Sequence, residues 1–176
     1  MLPSFVDALE RGWSPRNVDG ERARLDTLGR IRVDAAAFLA EFEDGDTKGP
    51  PIRLDNGREV PRLPDLVRWI WDGAFCGLIN LRWQAGTNAL PDHVLGHVGY
   101  TVVPWKRRRG LATMALRDIL PLAREQGLDY LELTASRDNM ASWRVIEKAG
   151  GVHVRDMTHV IHHEPDEIVR LYRIDL

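Results

Sequence analysis

The residues best suited to chemistry form one basic, glycine-bearing stretch, Val102-Val103-Pro104-Trp105-Lys106-Arg107-Arg108-Arg109-Gly110-Leu111-Ala112. Pro104 has no N–H to extend a β-ladder, so the strand candidate over residues 95–103 ends there. From Gly110 onward Ala112, Ala115, Leu116, Ile119, Leu122 and Ala123 recur at helical spacing up to Gln126, and Gly127 stops the run. A helix N-terminus presents unpaired N–H groups and partial positive charge, which favours a phosphate placed against it. Gly110 lets the chain turn sharply and lets a ligand approach the backbone. As composition alone, residues 106–109 read equally as a solvated basic loop or as a contact for nucleic acid or a targeting receptor. Their position between a Pro-ended strand and a helix opening on Gly-x-Ala points to phosphate binding.

That turn needs elements on either side. Phe5, Val6 and Leu9 share a helical face, and Ala36, Ala37, Phe38, Leu39 and Phe42 follow Asp34 as a candidate N-cap, which predicts two short N-terminal helices. Residues 43–64 are rich in Asp, Gly, Pro and Arg, including Gly49-Pro50-Pro51 and Asp55-Asn56-Gly57, and read as a long surface loop. Residues 67–71 and 74–83 form a hairpin around Asp72-Gly73. After the 110–126 helix, whose interior Pro121 predicts a kink, come a strand over 130–135 and a helix over 139–148 ended by Gly150-Gly151. Strands over 152–159 and 168–174 complete the order. Strand, helix, strand, helix, strand after a hairpin describes an α/β domain with one sheet.

Bulk properties narrow the function classes. A chain of 176 residues encloses one full core, and its 44% hydrophobic and 28% charged residues are ordinary for a globular protein. The net charge of -2 gives no overall field to gather nucleic acid or an anionic membrane. No apolar run approaches the length of a bilayer span, and the first residues lack a basic leader followed by an apolar stretch. The lone Cys76 excludes an internal disulfide and multi-cysteine metal sites. These features predict a soluble cytoplasmic protein with no nucleic-acid, membrane or metal partner.

Arg107-Arg108-Arg109-Gly110-Leu111-Ala112 after Val102-Val103-Pro104 resembles the signature of the GNAT family of N-acetyltransferases, Arg/Gln-x-x-Gly-x-Gly/Ala after a strand ending Val-x-Pro. A second element of that family, an Asn followed by a helix ending Glu-Lys-x-Gly, is matched by the segment from Asn139 to Gly150. The resemblance covers residues 67–176, and Gly96-His97-Val98-Gly99-Tyr100 is similar to bacterial predicted acetyltransferases of unassigned substrate. It implies a mixed, mostly antiparallel central sheet flanked by helices and split between its fourth and fifth strands. Residues 1–64, which carry no signature, are read as N-terminal helices and a loop beside a core over 65–176, all within one domain. The resemblance also implies acetyl-coenzyme A as cosubstrate, a small-molecule or protein amine as acceptor, and a homodimer as one admissible assembly.

Carried over residue by residue, the resemblance gives the pyrophosphate to the backbone amides of Arg108, Arg109, Gly110, Leu111, Ala112 and Thr113, with Arg107 adding charge. Val102 and Val103 pair with the pantetheine arm through their main chain, and Asn139 and Ser142 touch the cofactor from the far side. Amine acetylation also needs a base, because an ammonium of pKa about 10 has no lone pair. Glu132, alternating away from Leu131 and Leu133, and His97, alternating away from Val98, are the candidates. The main-chain N–H of Val102 or Val103 is the oxyanion donor that the resemblance implies.

The tyrosine that acts as general acid in many family members is replaced here by Ile146. Ser142, Tyr100, Tyr130 and water are the substitutes, and a non-catalytic acyl-coenzyme A sensor is the alternative function. Trp69 and Trp71 share a strand face and read as core, and packing is also the first reading for Trp83, Trp105 and Trp143. Cys76 reads as buried filler. His162-His163-Glu164 is a poor metal set, since neighbours on an extended chain point to opposite faces.

Overall fold

Three helices open the chain. α1 (Leu2–Glu10) buries Phe5, Ala8 and Leu9. α2 (Gly20–Val33) had no counterpart in the sequence reading, because its buried stripe is only Thr27, Leu28 and Ile31 among charged neighbours. α3 (Ala35–Ala40) begins at Asp34, whose carboxylate accepts the N–H groups of Ala36 and Ala37. The computed structural model describes residues 1–16, 20–42, 51–54, 57–159 and 167–176.

Within the expected surface loop, β1 (Ile52–Arg53) and β2 (Glu59–Val60) pair as a small hairpin. Residues 43–50 and the Asp55-Asn56 turn lie outside the described residues. β3 (Asp65–Trp71) and β4 (Phe75–Arg82) form the expected antiparallel hairpin, and β5 (Val98–Val102) pairs with β4. A Cβ at Gly77 would stand 2.0 Å from the Thr101 carbonyl oxygen and 2.9 Å from Val102 Cα, so a side chain there would push β5 off β4. β5 is shorter than residues 95–103 because the His97 N–H turns from β4 to the next strand, although its carbonyl still accepts from Arg82.

A single 3-10 turn, Pro104–Lys106, leads to α4 (Leu111–Glu125). α4 continues through Pro121, which sits on its exposed side. β6 (Tyr130–Ser136), α5 (Met140–Lys148), β7 (Val152–His159) and β8 (Glu167–Asp175) follow. The strands form two antiparallel half-sheets, β3-β4-β5 and β6-β8-β7. Counting the two short hairpin strands, the parting lies between the fifth and sixth strands rather than the expected fourth and fifth, and the fold is an α/β arrangement of antiparallel sheets flanked by helices. Among the described residues no helix is long and apolar enough to cross a membrane.

Two cores flank the sheet. On one face Ile79, Leu81, Leu131, Leu133 and Tyr172 pack with Leu116 and Ile119 of α4 and Ile146 of α5. On the other, the N-terminal helices meet β3 and β4 through an aromatic cluster. Phe5 stacks on Trp69 at 4.6 Å and meets Phe75 edge-on at 4.9 Å, with Phe38 and Trp13 completing the ring. Val103, fully buried, belongs to this second core. Replacing Phe5 by alanine is expected to lower unfolding stability by about 3–5 kcal/mol. Urea denaturation checks this, and a loss below about 1 kcal/mol would show that α1 does not anchor the second core.

Candidate active site

Strand parity decides which main-chain groups the parting of the sheet leaves open. The Val103 N–H donates to the Cys76 carbonyl at 2.9 Å, and the Arg82 N–H donates to the His97 carbonyl at 2.8 Å. Polar groups alternate between the two edges of a strand, so those of Val98, Tyr100 and Val102 face away from β4. On β6 the ladder to β8 likewise leaves Glu132, Thr134 and Ser136 facing β5. The two edges meet at one place only. There the His97 N–H donates to the Glu132 carbonyl at 2.7 Å, and the Glu132 N–H donates to His97 Nδ1 at 2.9 Å. Beyond this seam the edges diverge.

Gly96 makes the seam sterically possible, since a Cβ there would lie 2.9 Å from the Glu132 carbonyl oxygen. Because His97 Nδ1 accepts, its Nε2 carries the proton and donates to the Asn88 carbonyl at 3.1 Å. Both ring nitrogens are occupied and the residue is fully buried. Burial pushes its pKa below the ordinary value. His97 is therefore a structural junction between the half-sheets, and its expected role as general base is withdrawn.

The open part of the split is a cleft of about 950 Å³ between β5, the turn before α4, and the start of α5. Of the expected cofactor residues, Val102, Arg107, Arg108, Gly110, Leu111, Ala112, Thr113, Asn139 and Ser142 line it, together with Tyr100. Gly110 (φ 80) is the N-cap of α4 and offers no side-chain cap, so the first N–H groups of the helix are left for a ligand. Arg108 (φ 63) is the one non-glycine residue with positive φ among the described residues. Left-handed residues at both positions give the alternating backbone that turns successive N–H groups toward an anion.

Two expected cofactor contacts are corrected and a third is shared with a structural bond. Val103 sends its N–H to Cys76 and its side chain into the aromatic core, so the main-chain groups left facing the cleft are those of Tyr100 and the N–H of Val102. Arg109 is exposed and outside the cleft lining. Arg107 donates from Nε to the Val102 carbonyl at 3.1 Å, so part of its guanidinium fastens the turn to the end of β5.

Other side chains complete the walls. Asn139 Oδ1 accepts the Ser142 N–H at 3.1 Å and caps α5. The Tyr100 hydroxyl donates to the Ser142 carbonyl at 3.3 Å, and burial holds its pKa above the ordinary value. The sequence did not point to Arg144, Val145 and Lys148 in the lining. These three recur along one face of α5, a periodicity visible in the sequence but not attached to the cleft. Lys106 is held by Asp72 at 2.6 Å and lies 3.4 Å from Cys76 Sγ.

Glu132 projects on the face opposite α4, where no described residue pairs with its carboxylate. Ile146 is buried in the core and reaches nothing in the cleft. The tryptophans pack as expected: Trp143 Nε1 donates to the Ser136 carbonyl at 2.9 Å, and Arg11 lies 3.6 Å over the Trp105 ring. Cys76 is buried with its thiol pKa raised by burial. Among the described residues no His, Cys, Asp or Glu cluster could hold a metal. His162-His163-Glu164 lies outside them.

Two antiparallel half-sheets parting around a cleft, with an uncapped helix N-terminus at its mouth, define an α/β fold built to hold an extended anionic ligand edge-on. The chain belongs to the GNAT acetyltransferase family: the sequence profile of the Acetyltransferase (GNAT) domain matches residues 57–152, more than half of its length. No curated protein sequence matches it at a significant level. Its fold is similar to that of RimL, the ribosomal L7/L12 alpha-N-protein acetyltransferase in complex with coenzyme A. That match has 10% identity and a TM-score of 0.64 over 99% of this chain and 88% of that one. It is also similar to the microcin C7 self-immunity acetyltransferase MccE in complex with acetyl-CoA and AMP, at 10% identity and a TM-score of 0.58 over 99% and 86%. The spermidine N-acetyltransferase SpeG of Vibrio cholerae matches at 14% identity and a TM-score of 0.53 over 63% and 65%. Of five further acetyltransferase structures, including one from Bacillus anthracis, the chain spans 58–66% of the length.

The seam makes stability pH-dependent with a definite sign. The folded pKa of His97 lies below 6.5, so between the two values the unfolded chain binds a proton that the fold does not. Stability from this group is complete above the unfolded value and is lost, by up to about 1.4 kcal/mol per unit, as pH falls toward the folded value. His97→Asn retains an acceptor for Glu132 and cannot titrate, so it is expected to flatten this slope. Urea midpoints from about pH 5 to about pH 7 check the prediction, and an undiminished slope in the variant would place the titration elsewhere.

Proposed function

We propose that the protein transfers the acetyl group of acetyl-coenzyme A to a primary amine of a small molecule or protein by direct attack in a ternary complex. The observation that carries this reading is the convergence of the uncapped α4 N-terminus, Gly110 and Arg108 on the cleft between β5 and α5. The residues present fit the cofactor. Gly110, Leu111, Ala112 and Thr113 would hold its diphosphate through N–H groups, Tyr100 and Val102 would pair with the pantetheine arm, and Asn139 and Ser142 would close the far wall. The cofactor supplies a thioester-activated acetyl group and a thiol leaving group.

The chain's own groups divide the remaining work. The Val102 N–H faces the split without a strand partner and is the donor for the acyl oxygen. The Tyr100 hydroxyl, kept protonated by burial and aimed at the far wall of the cleft, is the proton donor in place of the side chain absent at Ile146. Glu132 is the base for the incoming ammonium, approached from the face opposite α4. The acceptors named for RimL, a ribosomal protein N-terminus, and for SpeG, spermidine, are both amines, which supports the reaction class. The N-terminal helices act in the same unit because Val103 is shared with their core. A reducing cytoplasm suits the lone buried thiol.

Calorimetry with acetyl-coenzyme A is expected to show binding that falls by about 100-fold or more in the Arg107→Glu, Gly110→Asp double variant. Undiminished affinity would overturn the site. Tyr100→Phe is expected to lower kcat for thiol release by about 10-fold or more with cofactor affinity retained. Tight cofactor binding with no thiol release from any amine would favour a non-catalytic acyl-coenzyme A sensor.

A further inference from the structure

On the face of the sheet opposite α4, one row of side chains crosses the seam. Asp65 of β3 lies directly opposite Arg82 of β4. Arg82 pairs through its backbone with His97, His97 pairs with Glu132 of β6, and Glu132 lies opposite Arg173 of β8. With about 4.8 Å between strands, Arg82 and Glu132 are about 10 Å apart at their backbones, within joint reach of one small ligand. Arg173 is already engaged, donating to Asp175 at 2.9 Å and stacking 3.5 Å from the centre of the Tyr130 ring.

Arg82 feels the charge of Asp65 across the strand pair but is less fully engaged. Its Nε is sealed from solvent without a hydrogen-bond partner, a costly state that a bound anion would relieve. The next row shows where that anion would lie. Gly99 stands opposite Asn80, and a Cβ on Gly99 would be 2.7 Å from Asn80 Oδ1 and 3.2 Å from Arg82 Nη2. The missing side chain thus lets a carboxamide and a guanidinium converge over the β5 backbone, one residue before Tyr100 and three before Val102. Trp13 borders the same strand face, with its Nε1 donating to Thr101 Oγ1 at 3.4 Å.

We propose that the acceptor is a zwitterionic amine of amino-acid type, its carboxylate held by Arg82 beside Gly99 and its amino group at Glu132. The inference rests on the acetyl-transfer reading and names the substrate class for it. Asp65 and Glu132 offset Arg82 and Arg173 along the row, leaving no surplus positive charge for a phosphate dianion. A monoanionic carboxylate matches one planar guanidinium, and an ammonium beside it matches Glu132. Arg82 sets specificity, and Glu132 takes the proton.

The test compares matched acceptors in a thiol-release assay on the full chain with acetyl-coenzyme A: L-phenylalanine against L-phenylalaninamide and phenethylamine, L-methionine against L-methioninamide, and phosphoethanolamine against ethanolamine. The expected result is a KM lower by about 10-fold or more for the carboxylate member of each amino-acid pair. Arg82→Gln is expected to remove that preference, raising KM for the carboxylate member by about 10-fold and for the amide by less than about 2-fold, with coenzyme A affinity unchanged by calorimetry. Gly99→Ala, which crowds only two flexible side-chain ends, reads the same contact if Arg82→Gln does not fold. If no acceptor turns over, saturation-transfer NMR on the coenzyme A complex scores binding of the same pairs. Equal KM or equal binding within the pairs, an Arg82→Gln effect on both members alike, or preference for phosphoethanolamine overturns the inference. Loss of coenzyme A binding by the unmodified chain would instead overturn the acetyl-transfer reading.

Discussion

Two hydrogen bonds at His97 hold the two half-sheets together, and the cleft exists because they are not repeated further along. A continuous ladder between β5 and β6 would consume the edge groups of Tyr100 and Val102; no ladder at all would let the halves drift. The imidazole solves this by serving as an acceptor for one strand while its other nitrogen is tied to the Asn88 carbonyl. Asn88 is in turn fixed to Asp129, its Oδ1 accepting the Asp129 N–H at 2.8 Å. The vertex of the split is thus a polar network running from the buried imidazole to the surface at Asp129, and the partners of both imidazole nitrogens give it a defined geometry.

From that vertex the rest of the site is a matter of reach. The turn after β5 is bound on both sides, by Arg107 to the strand end and by Lys106 to Asp72 at the tip of the β3–β4 hairpin. Two of the four basic side chains therefore hold the turn in place, and the anion-binding capacity falls mainly on backbone amides and Arg108. This agrees with the unperturbed helix start at Gly110, where a capping side chain would compete with a ligand for the same N–H groups.

Much of this was legible in the residues. The basic turn, the helix after it and the hairpin before it were readable because Pro104, Gly110 and Asp72-Gly73 are strong local signals that tertiary packing did not override. α2 was not, because a stripe of three buried residues in a charged helix barely modulates the hydrophobic pattern. His97 departs from its expected role for a different reason. Its strand position was visible, but the Asn88 carbonyl and the Glu132 N–H that occupy its nitrogens are brought there only by the fold. Val103 was assigned to the cleft because a sequence does not say which edge of a strand faces the neighbour; one hydrogen bond to Cys76 decides it. The α5 lining was present as a periodic face but had no marker linking it to the turn across the cleft.

Val102 and Val103 are adjacent yet serve opposite masters, one presenting its main chain to the split and the other plugging the aromatic core under the N-terminal helices. Adding or deleting a single residue before Val102 would turn the rest of β5 over, carrying Tyr100 out of the cleft and Gly99 off Asn80 in the same event. The length of this short strand is therefore expected to be invariant across descendants of the chain, while the loops on either side drift in size.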